Sequence, residues 1–384
     1  MAGLILTDDD ASVPLGQRQA LFSVVGQTLI EYQVRMARAC GVGHIVVLVD
    51  EVPAGLVAAF DLLRAEGIDI DVARTATDAA DRIHPEETLL VMASGVVASR
   101  GVVSQLLAES APILLTHADA PETSHCERID AQDRWSGLAL LNGTLLRDTC
   151  AMLGDWTLGP TLLRCGLQSG AARRRHDGDG VLGLIQNEAS AADVSNALAV
   201  TTLPSERSGF AKWVAAPICA RLTPALLTRA VPLDLITVLP ITLLGTAILL
   251  SAIGWVATGF FMFLLAGFPA ISAGVIATIS ARTIPVLGAY SKAKAPVVCV
   301  LLLITAWHLM SGGGDWGVAI LALWGSVALL SLPEDTLGPA WKADAEWLAL
   351  EMLIAGVCDQ LLAGVVVVVC HVVLSQLSLR YHSR

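Results

Sequence analysis

Gly3-Leu4-Ile5-Leu6 and Ile45-Val46-Val47-Leu48-Val49 decide the reading of the N-terminal part of this chain. Both are short, uncharged, apolar runs, the pattern of strands buried on both faces of a sheet. Between them lies a helical stretch of about residues 28–40, with Leu29, Val34 and Met36 among its apolar positions and Gly41 as its stop. Three more strand candidates follow, Ile68 to Val72, Leu89 to Met92 and Ile113 to Leu115, each separated by helix-length sequence. Strands alternating with helices from Gly3 to about Asn196 predict a mostly parallel sheet in a Rossmann-like α/β layer arrangement.

The C-terminal part reads differently. Hydrophobic runs at about 233–253, 256–280, 295–311 and 316–332 are each near the roughly 20 residues that cross a bilayer. Glu346 to Leu377 is either one overlong helix or two short spans that meet near Asp359 and Gln360. Arg207, Lys212, Arg221 and Arg229 precede the first run, Arg282, Lys292 and Lys294 lie between the second and third, and Arg380 and Arg384 close the chain. Six spans place all of these on one side, as the positive-inside tendency requires, so about six spans are expected, with both termini in the cytoplasm. Residues 201–232 hold Pro204, Pro217, Pro224 and Pro232, with Lys212, Trp213, Arg221 and Arg229 among apolar residues. This suits an amphipathic junction at the membrane interface. The expected domains are therefore 1–200 (α/β), 201–232 (junction) and 233–384 (an all-α polytopic membrane domain).

Charge separates the two parts further. Of 24 Lys/Arg and 35 Asp/Glu in 384 residues, only six and eight fall after residue 230, so the N-terminal part carries most of the net charge of −11. An acidic α/β part without a basic stripe excludes nucleic acid as the main partner. Arg173, Arg174, Arg175 and His176 form the one basic cluster, read as a solvated loop or as a contact for lipid phosphates or an anionic substrate. The eight cysteines show no metal-ligand spacing and read as reduced, mostly buried thiols. Met1 leads directly into a strand without a basic, apolar leader, so no signal peptide is expected. Within the apolar runs His308, Glu351, Asp359 and His371 stand out, because ionisable groups at depth are costly and often functional, while Asp234 and His308, at span ends, also read as facing the interface.

The first fifty residues resemble the Rossmann-like nucleotidyltransferases of sugar phosphates and the molybdenum cofactor, which have a nucleotide-diphospho-sugar-transferase-type fold. The matching stretches are Ala2 to Leu6, Leu21 to Glu31, Cys40-Gly41-Val42 and Ile45 to Leu48. The resemblance implies a glycine-rich phosphate loop with an arginine after the first strand; here that place reads Thr7-Asp8-Asp9-Asp10-Ala11-Ser12. The family lysine corresponds to Gln19, beside Arg18. The two metal-binding aspartates correspond to Ala93-Ser94-Gly95 and to Gln186-Asn187-Glu188, so a carboxylate survives only as an offset Glu188. Asp8, Asp9 and Asp10 themselves read as a solvated turn or, alternatively, as a novel metal site.

The C-terminal half resembles the CDP-alcohol phosphotransferases in its length, amphipathic lead-in and span order. That family's motif is D-G-x-x-A-R, then a glycine and two metal-binding aspartates. Its counterpart here is Ala273-Gly274-Val275-Ile276-Ala277-Thr278, keeping Gly and Ala and losing the first Asp and the Arg. The later glycine falls at Leu287 or Gly288, and the two aspartates at Ser291 and Ala295, or at Lys292 and Pro296. The order of the halves looks like bacterial bifunctional enzymes of phospholipid head-group synthesis. With both motifs degenerate, no catalytic residue, metal or cofactor is assigned, and the expectation is a non-catalytic or strongly divergent transferase-like protein, a pseudoenzyme of the inner membrane. Membrane lipids, a partner protein or a second copy in a homodimer would be its partners. The alternatives are an active nucleotidyl- or phospho-alcohol transferase with relocated ligands and Mg, and a membrane scaffold or transporter.

Overall fold

The computed structural model describes residues 1–7, 19–202, 210–228, 233–282, 284–332 and 342–382. Contacts divide them into two units, Met1–Thr201 with Thr278–Arg282, and Thr202–Ala277 with Thr283–Arg384.

The first unit runs β1 (Ala2–Thr7), β2 (Ser23–Val24), β3 (Gln27–Thr28), α1 (Leu29–Ala39), β4 (His44–Val49), α2 (Ala54–Ala65), β5 (Ile70–Ala73), α3 (Ala76–Asp81), β6 (Thr88–Met92), β7 (Val96–Ala98), α4 (Arg100–Leu107), β8 (Ile113–Ala118), β9 (Asp133–Asn142), α5 (Gly143–Met152), α6 (Leu158–Gln168), β10 (Ala172–Arg175), β11 (Leu182–Leu184) and α7 (Glu188–Thr201). Seven strands form one sheet in the order β10-β8-β9-β6-β1-β4-β5. β1 is parallel to β4 and β6, β4 to β5 and β10 to β8, while β9 is antiparallel to both its neighbours. Every residue of β1 is buried, as expected of a central strand covered on both faces.

The mostly parallel sheet agrees with the sequence, with one insertion and one conversion. β9 was not legible, because Ser136-Gly137 interrupts its apolar run. Gly137 takes φ +86°, and a Cβ there would meet Val96 Cγ2 at 2.2 Å, so only glycine fits this kink. The arginine cluster is strand β10 at the sheet edge, not a loop. Arg173 pairs with Asp130 at 2.5 Å, Arg174 with Glu109, and Arg175 with Asp133 at 2.7 Å, which accounts for the three guanidinium groups without an external anion.

α1 begins at a capping box, with Thr28 Oγ1 accepting from Glu31 N and Glu31 accepting from Thr28 N. Arg35 of this helix is 2% exposed overall. Its guanidinium donates twice to the Glu66 carboxylate, at 2.7 and 2.8 Å, and also reaches Glu31 and Gln27. One buried cation thus fastens β3, α1 and the end of α2, and its desolvation cost is met by several acceptors at once.

The second unit is helical: a π-helical turn at Ala211–Ala215, α8 (Ala216–Thr228), α9 (Leu233–Ile253), α10 (Val256–Ile279), α11 (Pro285–Ser311), α12 (Gly317–Leu330), α13 (Ala345–Val357) and α14 (Leu361–His382). Among the described residues, four helices, within α9, α10, α11 and α14, are long and apolar enough to cross a membrane. One expectation changes and one open alternative closes. The third apolar helix starts at Pro285, ten residues before the expected 295, because proline is suited to a first helical turn. Lys292 and Lys294 therefore belong to the helix and not to a loop. Glu346 to Leu377 forms two helices, parted where Asp359 takes φ +55°.

Small residues let these helices approach. A Cβ on Gly325 would come 2.9 Å from Val369, one on Gly356 2.8 Å from Ala257, and one on Gly364 2.5 Å from Ala355. Phe260, Phe263, Leu301, Leu348 and Met352 fill the interior, whereas Leu235, Leu249, Phe261, Leu303, Ile320 and Leu323 face outward. An apolar exterior of this kind belongs in hydrocarbon rather than water. The cysteines are all free, but only Cys126, Cys219 and Cys299 are buried, and Cys358 and Cys370 are exposed in this apolar unit. The expectation of mostly buried thiols therefore fails, since a small, weakly polar thiol costs little on an apolar exterior.

Replacing Arg35 with Met should lower the stability of the first unit by about 3 kcal/mol, the low end for a broken buried pair because Glu66 is a third exposed. Urea unfolding of the full-length protein checks this, and an unmoved midpoint would show that the network contributes nothing.

Candidate functional site

Sheet order reverses at β1. The chain leaves β1 for β4 and β5 on one side and returns to β6 on the other. In open α/β sheets, ligands bind beyond the carboxyl ends of the strands at such a switch point. The residues just after β6, with Gln19, occupy that position in this chain.

Ser94 Oγ donates to Gln19 Oε1 at 2.8 Å. Gly95 O accepts from Ile185 N at 2.8 Å. Gly95 has φ +76°, and a Cβ there would stand 2.7 Å from Ile185 O and 3.3 Å from Gln19 Oε1. The turn is held from behind by Gln33 of α1, whose Nε2 donates to Ala93 O and Val96 O at 3.2 and 2.9 Å. β7 then pairs antiparallel with β11, which delivers Ile185 to the turn. The start of α7 caps itself: Ser190 Oγ accepts from Gln186 N and Asn187 N, and Asn187 Oδ1 accepts from Ser190 N at 2.8 Å.

Three separate stretches singled out in the sequence, Gln19, Ser94-Gly95 and the approach to Gln186-Asn187-Glu188, therefore meet at one place. What they bring is neutral. Glu188 is exposed at the first residue of α7. Thr7 turns back into the sheet, its Oγ1 donating to Leu48 O at 2.8 Å. Asp8, Asp9, Asp10 and Arg18 lie outside the described residues. Among the described residues no group of three or more His, Cys, Asp or Glu is placed to hold a metal ion.

In the helical unit, Ala273 and Ala277 of α10 are buried, at 0% and 8% exposure, and Gly274 is half-buried. Thr278 is exposed and groups with the first unit. On α11, Gly288, Ser291, Lys292 and Pro296 are exposed and Ala295 is half-buried. No carboxylate stands at any of these positions. Lys294 pairs instead with Glu346 at 3.1 Å, linking α11 to α13, a contact no sequence signal announced.

Glu351 and His371, singled out separately in the sequence, are partners. His371 Nδ1 lies 2.6 Å from Glu351 Oε1 across the α13–α14 hairpin. Glu351 Oε2 is buried without a hydrogen bond among the described residues. His308 Nε2 bonds Ser251 O at 3.0 Å, so this histidine bridges α11 and α9. The side chain of Asp234 lies outside the described residues.

A double-mutant cycle of Glu351→Ala and His371→Ala, followed by detergent unfolding, should return a coupling of about 1 kcal/mol, between the ~0.6 average and the ~1.7 maximum of such cycles between membrane helices. A coupling of a few tenths would mark the pair as incidental. As for known proteins, no protein-family model and no curated protein matches the chain in sequence. Solved structures similar to its N-terminal half are nucleotidyltransferases. One, provisionally named a glucose-1-phosphate thymidylyltransferase, from Bacillus anthracis and in complex with a sucrose, is 12% identical, with a TM-score of 0.40 over 50% of this chain and 93% of that one. Another, the inositol-1-phosphate CTP transferase of T. maritima, is 12% identical, with a TM-score of 0.39 over 50% of this chain and 94% of that one.

Proposed function

We propose that this chain is a membrane protein that joins a nucleotidyltransferase-like domain to a CDP-alcohol phosphotransferase-like bundle, and that it has lost the chemistry of both. The observation that carries this reading is the meeting of Gln19, Ser94, Gly95 and Ile185 at the switch point. The groups described at this switch point satisfy one another rather than offering charge to a metal or a triphosphate. Nucleotidyl transfer needs a divalent ion held by oxygen ligands at fixed positions, to offset charge on the leaving pyrophosphate. Asp8 to Asp10, following β1, would repel the phosphates that the family's glycine-rich loop holds. In the bundle, the positions of the family's aspartates are Ala273, Ser291 or Lys292, and Ala295 or Pro296, which offer no ligand set. Such a protein would act in lipid head-group metabolism through a partner or a second copy.

A second reading, an active transferase using relocated ligands and Mg, draws on Glu188, whose place at the start of α7 is next to the crevice. The two readings separate in one experiment on the full-length protein. With magnesium and a panel of nucleoside triphosphates, the thermal midpoint should stay put and no pyrophosphate should appear. Stabilisation by one nucleotide with pyrophosphate release, lost in Glu188→Gln or in Asp8→Asn/Asp9→Asn/Asp10→Asn, would replace the first reading with the second.

For orientation, we infer six crossings of the inner membrane with the α/β unit in the cytoplasm. Basic residues Arg282, Lys292 and Lys294 mark the α10–α11 end, while exposed Trp255, Trp307 and Trp316 mark the opposite ends of α9, α11 and α12. α12 and α13, at 14 and 13 residues, are short for a bilayer and would cross only where it thins or where they tilt little. A reporter fused after Arg384 should be active on the cytoplasmic side. Activity on the outer side would mean an odd number of crossings.

A further inference from the structure

The helical unit carries a groove of about 400 Å3 between α9 and α11, lined by Ala252, Val300, Leu303, Ile304, Trp307 and His308. Five of the six residues recur at helical three- and four-residue steps along one stripe of α11. The wall is apolar except at its end, where His308 sits. Because Ser251 O can only accept, the ring carries its proton on Nε2. Nδ1 has no partner among the described residues and, in the neutral ring, is an acceptor.

The depth of this end is fixed by its surroundings. Trp307 is 69% exposed beside His308 at the C-terminal end of α11, and Trp255, in the α9–α10 link, and Trp316, just before α12, are 64% and 76% exposed at the same end of the bundle. Tryptophans exposed in this way mark the level of the lipid head groups. An apolar trough that opens sideways from a membrane-spanning helix, with one acceptor at head-group level, matches a bilayer lipid in shape and polarity. We propose that this groove is a lipid-binding site, with an acyl chain along Val300–Leu303–Ile304 and the head group at His308. The acceptor at Nδ1 selects head groups that can donate a hydrogen bond, such as an ethanolamine ammonium, over those that cannot, such as choline. This inference is independent of whether either half is a transferase.

The test is native mass spectrometry of the full-length protein released in mild detergent from vesicles of equal phosphatidylethanolamine and phosphatidylcholine. One retained phospholipid is expected, with ethanolamine enriched about tenfold, the low end for one hydrogen bond from a charged donor. Ala252→Trp should fill the groove and abolish the retained lipid. Val300→Trp does the same from the other end, should the first variant fail to fold. His308→Ala should keep the lipid and erase the preference for ethanolamine. Equal lipid counts in wild type and the filled variants would mean an annular shell only. An unchanged head-group preference in His308→Ala would overturn the role of the ring. Loss of a dimer rather than of a lipid in the filled variants would assign the groove to a second copy of the chain.

Discussion

β1 is the element on which the α/β unit depends. All six of its residues are buried, and its backbone pairs in parallel with β4 along its whole length and with β6 along most of it. A strand with both faces and both edges covered leaves no N–H or C=O to water, so its ladder must be complete. That completeness sets the register of its neighbours, and the reversal of sheet order beside it creates the crevice at its carboxyl end. The position of Gln19, Ser94 and Gly95 follows from where β1 and β6 stop. Arg35 serves the same layer from outside, because a buried cation with acceptors on β3, α1 and α2 permits only one arrangement of the three.

A different constraint governs the helical unit. In hydrocarbon the backbone must be satisfied within the segment, so the chain is helix with short interruptions. Apolar attraction cannot choose how such helices pack, since lipid is as apolar as leucine. The choice falls to close fit and to polar groups. Gly325, Gly356 and Gly364 give the close fit, and Lys294–Glu346, Glu351–His371 and His308–Ser251 give the polar contacts. Each polar contact joins two helices, and two of them join helices far apart in sequence. His308, Glu351 and His371, isolated oddities in the sequence, are thus cross-links of the bundle, though the uncompensated oxygen of Glu351 remains a cost that packing tolerates.

Much of the candidate site was legible as a list and not as a place. The stretches containing Gln19, Ser94 and Glu188 stood out because neutral or acidic residues occupy positions where the resemblance implies lysine, aspartate and aspartate. Their convergence was invisible, since it depends on the β7–β11 pairing across more than eighty residues. The basic cluster shows the reverse case. Arg173 to Arg175 carries an obvious charge signal, but the acids that neutralise it, Asp130, Glu109 and Asp133, are distant in sequence. A run of one sign reads as a solvated loop or an external contact until its internal partners are in view.

Sequence alone determined what is local: short apolar runs that became buried strands, and runs near twenty residues that became apolar helices long enough to cross a membrane. Periodicity and hydrophobicity act over a few residues, so they survive without a fold. Tertiary structure decided what is non-local. It inserted β9 antiparallel between β6 and β8, began α11 at Pro285, and broke the last apolar stretch at Asp359. It also paired Glu351 with His371 and opened a groove beside His308. Those outcomes depend on which surfaces meet, and the energy of a contact between distant residues exists only once the chain between them has been placed.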